Sequence, residues 1–213
     1  MADQLSLYNN ALLEVGERAL SSLSDNTETR RLLDRAWTDA VDMCLSAGLW
    51  RFATRTAQQA PSTSVEPDFG YRLAYEHPGD MVRTKGMFVD EYCLVPLLAY
   101  RSERNYWFTD AEPIYVSYVS NDNAYGGDMG SWPVEFARYV EAYLASRIIT
   151  RLTQDREQWN LVYQLTKRRL TEAASSDAME GPTQFLPPGT WVEARYGRST
   201  GRRDRGSRSR LIG

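Results

Sequence analysis

The chain has 213 residues, is 42% hydrophobic and 25% charged, and carries a formal charge of −3. That is an ordinary globular composition, long enough to bury a core without staples. No stretch reaches the roughly 18 apolar residues a membrane span needs. Two cysteines, Cys44 and Cys93, make no disulfide framework and stand in no metal spacing. They read as reduced thiols, which fits a soluble protein made in a cytoplasm. The opening MADQLSLYNNALLEVGE has no basic n-region and no continuous apolar run, so it does not read as a signal peptide.

Leu5, Tyr8, Leu12 and Val15 recur at helical spacing and predict a first helix over about 4–15, stopped by Gly16. A polar connector follows. Asp25, with Glu28 three residues on, has the spacing of a capping box and predicts a second helix over about 26–47. Its apolar stripe is Leu33, Trp37, Ala40, Cys44 and Ala47, which makes Cys44 a packed thiol rather than a reactive one. Residues 57–70 contain two prolines and no periodicity, and read as a loop.

The pattern then changes. MVRTKGMFV, YCLVPLLAY, NYWF and IYVSYVS are short, apolar and rich in β-branched and aromatic residues. They predict one small antiparallel meander over about 81–120, with Pro96 marking an edge strand or a bulge. Pro133 opens a third helix over about 133–152, whose Phe136, Val140, Leu144 and Ile148 recur every four residues. A break at 153–155 leads to a fourth helix over about 155–175, striped by Trp159, Val162, Thr166, Leu170 and Ala173. Two helices joined so briefly pack antiparallel. The fold class expected is α+β: one domain over 1–180, mainly a helical bundle with a small inserted antiparallel sheet.

Residues 181–213 break from this pattern and read as an extended arm. Residues 194–213 hold seven arginines against one aspartate, so the preceding body is more acidic than the whole chain. The arm is either a solvated end, a nonspecific phosphate binder or a peptide that orders on an acidic surface. In the last case its docking residues are Trp191, Arg195, Tyr196, Arg198, Arg202, Arg203, Arg205, Arg208, Arg210, Leu211 and Ile212, since aromatics and arginine carry most interface energy.

Nothing in the pattern points to catalysis. The lone histidine, His77 in EHPGD, reads as a turn residue. No nucleophile elbow, P-loop or dinucleotide fingerprint is present. The expectation is a non-enzyme without catalytic residues, cofactor or metal.

Three stretches carry a resemblance. The first, ALLEVGERALSSLSDNTETRRLLDRAWTDAVDMCLSAGLWRFA, has Gly16-Glu17, then Ser22-Leu23-Ser24-Asp25, then Gly48-Leu49-Trp50. The second, YRLAYEHPGDMVR, has Tyr75, Pro78, Asp80 and Arg83. The third runs from IYVSYVSN to WPVEFARYVEAYLASRIITRLT, with Pro133 and Phe136. In this order they resemble the tail tubular protein A family, the head-to-tail adaptors of short-tailed bacteriophages. The likeness spans about residues 7–178. It departs where the family often has an alanine-rich run and this chain has YVEAYLASRII.

The resemblance implies a structural connector of the virion, made in the host cytoplasm. Its copies form a ring, typically a dodecamer, between the portal protein and a tail nozzle like tail tubular protein B, with tail fibres as further possible neighbours. DNA passes through the lumen without sequence-specific binding, and no membrane is involved. The arm is then expected to lie on the portal or on a neighbouring subunit. The alternatives carried beside this reading are a DNA-binding protein that uses the basic arm, a virion-associated cell-wall hydrolase, and a completion factor of a longer tail.

Overall fold

Residue patterning and fold can be compared in a computed structural model, which describes residues 3–181 apart from 66, 68, 69 and 154. Four helices carry the bundle: α1 (Gln4–Val15), α2 (Glu28–Ser46), α3 (Val134–Leu152) and α4 (Arg156–Met179). Six strands lie between α2 and α3: β1 (Thr54–Gln59), β2 (Leu73–Glu76), β3 (Met81–Phe88), β4 (Arg101–Glu103), β5 (Tyr106–Thr109) and β6 (Ile114–Ser120). A short 3-10 helix, Met129–Ser131, leads into α3. The fold is α+β.

The helix ends follow local chemistry. Asp3 caps α1 by accepting from the Ser6 N–H, and Ser6 returns a bond in a capping box. Gly16 closes α1 in the left-handed region, at φ 80°. The second helix corrects the sequence expectation: its cap is Thr27, whose hydroxyl accepts from the Arg30 N–H. The Asp25 carboxylate instead folds back onto the Ser21 and Ser22 amides. Asp155 caps α4 by accepting from the Glu157 N–H.

The expected single meander is two sheets. One has the order β1-β6-β3 and the other β2-β5-β4, all antiparallel. Two of these strands lie outside the expected 81–120 span. β1 straddles the start of the supposed loop, and β2 follows it. The reverse error occurs at YCLVPLLAY, where residues 92–100 form turns and only Pro96 makes an isolated bridge, to Phe88.

Two cores result. The helical core includes Leu7, Tyr8, Leu12, Leu33, Cys44, Trp50, Phe136, Val140, Leu144 and Ile148. An aromatic chain runs through it: Tyr8 meets Trp37 edge-on, Trp37 stacks near Trp132, and Trp132 and Trp50 both meet Phe136 edge-on. The second core draws Tyr75 from β2, Met87 from β3, Trp107 from β5, and Ile114, Val116 and Tyr118 from β6. Both sheets therefore share one apolar filling. β6 also sends Val119 to the helical core, so this strand belongs to both.

Candidate functional site

Some of the residues quoted for the resemblance, Gly48, Trp50, Arg83 and Phe136, lie around the end of α2, where bundle and sheets meet, while Gly16 and Asp25 lie between α1 and α2 and Tyr75 in the inter-sheet core. Trp50 is buried, and its indole N–H donates to the Cys44 carbonyl at 2.9 Å, just where α2 ends. Gly48 lies under that ring: a Cβ there would stand 2.7 Å from the indole. Trp50 in turn packs on Phe136 with centroids 5.0 Å apart. Arg83 reaches from β3 to donate to the Ser46 carbonyl at 2.9 Å, satisfying one of the open carbonyls at the end of α2. Gly126 is the tightest point of this joint, since a Cβ would fall 2.4 Å from the Ser120 carbonyl oxygen.

Asp80 is the polar centre. It sits in the turn between β2 and β3, and Pro78 accepts from the Met81 N–H to close that turn. The Asp80 carboxylate accepts from Arg55 of β1 at 2.9 Å, from the Ser120 hydroxyl at 2.5 Å and from the Tyr118 hydroxyl at 3.2 Å. Its own carbonyl accepts from the Asn121 N–H. Burial pushes its acidity one way, but the bonds from Ser120 and Arg55 outweigh it and hold the carboxyl below its ordinary range. Burial and the Asp80 charge push the Tyr118 phenol up to about 12. The node ties β1 and β6 to the β2–β3 turn.

Three further groups are shifted by their surroundings. The His77 ring lies 4.1 Å from Trp107, and burial lowers its pKa and favours the neutral form. The Cys44 thiol is buried, and burial pushes it up, as expected of a packed thiol. Cys93 sits at φ 55° in a turn, its thiol also pushed up by burial and by Asp90. Neither thiol has the lowered pKa that makes a nucleophile. Among the described residues, no group of three or more His, Cys, Asp or Glu side chains could hold a metal ion. No helix among them is long and apolar enough to cross a membrane.

The docking residues expected in the arm, Trp191 through Ile212, all lie outside the described residues. Two surfaces escaped the sequence reading. The first is the β3–β4 segment, where Val89, Tyr92, Val95, Leu98 and Tyr100 are all exposed, Leu98 by 84%. Its backbone is held firmly. The Asp90 carboxylate accepts from the Leu94 and Val95 amides, Val89 donates to Val95, and Leu97 donates to Met87. The sequence signal was present: an apolar run without polar alternation, broken by Pro96, does not match a half-buried strand. The second surface is an open cleft of about 610 Å³ where α2, α3 and the start of β3 meet. Met43, Val82 and Tyr143 form its apolar wall, with Asp39, Asp42 and Arg147 around it. Asp39, Met43 and Ser46 lie on one face of α2, at intervals of four and three residues.

No protein-family model matches the chain, and no curated protein matches it.

Proposed function

We propose that this chain is a head-to-tail adaptor of a short-tailed bacteriophage, one subunit of a ring between portal and tail nozzle. The observation that carries the reading is where the resemblance falls. Gly48, Trp50, Arg83 and Phe136 come from three separate stretches, yet they meet around the end of α2 where bundle and sheets join, and Asp80 fastens the neighbouring β2–β3 turn to β1 and β6. A wedge that must hold its shape between two neighbours depends on such a joint. Exposed apolar side chains on an ordered segment add support, because such patches mark interaction surfaces.

The arm is assigned to docking on the portal. Its arginines would pair with carboxylates there, and Leu211 and Ile212 would fill an apolar pocket. Ordering it costs roughly 1–2 kcal/mol per residue of backbone entropy, so many contacts must form together.

The test is native mass spectrometry of the full chain and of residues 1–182, each alone and with the portal protein of the same virion. A portal-bound ring from the full chain, lost on truncation, is the expected result. Portal binding that survives truncation overturns the role given to the arm. A full chain that ignores the portal and binds duplex DNA in a salt-sensitive manner overturns the adaptor reading itself.

A further inference from the structure

Two surfaces present apolar side chains to solvent. One is the β3–β4 segment, the ridge, with exposed Val89, Tyr92, Val95 and Leu98. The other is a hollow with Met43, Val82 and Tyr143 on its wall. They stand at opposite ends of β3: Val82 lines the cleft and the ridge begins at Val89. At about 3.3 Å per residue the strand separates them by on the order of 20 Å. β3 is pinned along its length to β6, so the ridge cannot fold back into its own cleft. We infer that the β3–β4 ridge of one copy docks in the α2–α3 cleft of the next, in a head-to-tail contact between identical chains. This inference rests on the ring reading above.

Charge favours a second copy as occupant. The cleft carries Asp39 and Asp42, and the ridge is followed by exposed Arg104, while Arg101 beside it already pairs with Glu103. Arg147 on the cleft is matched by Glu91 on the ridge. Asp39, Arg104 and Arg147 make no ion pair among the described residues. A stable interface buries about 800 Å² per partner. Seating the ridge in a hollow adds the cleft walls to the buried surface. A head-to-tail contact also gives each subunit two interfaces, and such contacts close into rings when the rotation allows.

The ordered backbone strengthens the argument. The Asp90 bonds and the Phe88–Pro96 bridge fix the ridge before it meets anything. A prefixed ridge loses little entropy on docking.

Disulfide trapping in the full chain tests the contact, because oxidation captures even a short-lived encounter. Cys93→Ser removes the partly exposed native thiol, while Cys44 is buried and stays. Leu98→Cys and Met43→Cys then place one thiol on the ridge and one at the cleft. The chain with both is expected to give a ladder of dimers, trimers and larger species that collapses on reduction. A mixture of the two single variants is expected to stop at dimers, and neither single variant alone is expected to cross-link. Dimers from Leu98→Cys alone would mean a ridge-to-ridge contact and overturn the inference. A double variant that gives no ladder overturns it as well. Native mass of the unaltered chain with its portal reports separately on the ring: a ring there without a ladder removes only this contact, and no ring removes the adaptor reading as well.

Discussion

Asp80 shows how one side chain can hold a joint. It accepts from Arg55, Ser120 and Tyr118, which reach it from β1 and β6. Because its folded pKa lies below the ordinary value, it contributes stability above the usual carboxylate range. That contribution is lost as pH falls through the depressed folded value. Asp80→Asn keeps one acceptor oxygen but removes the charge from these bonds. It is expected to cost about 1–2 kcal/mol at neutral pH, toward the lower end because Arg55 is partly exposed and screened. Urea melts of both proteins at neutral pH and at a pH below 4 read this directly. The gap should narrow in acid, and a gap that stays constant would mean the charge plays no part. Asp80 stands out in the sequence through its place in YRLAYEHPGDMVR. Its partners are not legible there, since Arg55 and Ser120 are 25 and 40 residues away.

At the scale of elements, the helices are legible because their signals are local. The first helix has the bounds expected from its stripe, and the third and fourth begin within a residue of theirs. The expected fourth stripe does face inward at Val162, Thr166 and Ala173. Ala47 of the second stripe, by contrast, is exposed beyond the helix end. The strands are less legible. TRTAQQ has little apolar content, yet it forms β1 because β6 offers it six paired residues. The apolar YCLVPLLAY forms none, as Pro96 supplies no N–H for a ladder and the side chains face solvent. Pairing decides both cases, and pairing is not a local property. The cap of α2 falls two residues past the expected one for a related reason: both Asp25 and Thr27 are good caps, and the turn over Ser21–Asp25 uses up the aspartate. Thr27→Ala is therefore expected to cost about 1 kcal/mol of stability. Asp25→Ala should act only through its turn, leaving the first turn of α2 protected in amide exchange. Loss of protection at Arg30 in Asp25→Ala but not in Thr27→Ala would make Asp25 the cap after all.

For the molecule as a whole, the question is whether two cores behave as one. The sequence separates helices and strands so cleanly that they could pass for independent parts. β6 argues otherwise. Ile114, Val116 and Tyr118 fill the core between the sheets, while Val119 enters the helical core. Arg83 fastens β3 to the end of α2, and Arg51 donates its backbone N–H to Asp177 of α4 at 2.8 Å. A strand held in both cores cannot leave one without exposing apolar surface in the other, so unfolding should be cooperative. Trp107 tests this because it is buried only in the inter-sheet core, far in sequence from every helix. Trp107→Ala is expected to cost about 3–5 kcal/mol. The loss should appear as a lower melting temperature of the helical signal at 222 nm, in a single transition shared with the near-ultraviolet signal of the aromatics. Helices that melt unchanged while the aromatic signal is lost early would show two separable parts. The joint at Arg83 and Trp50 would then be a hinge, and the proposed ring would rest on flexible wedges rather than rigid ones.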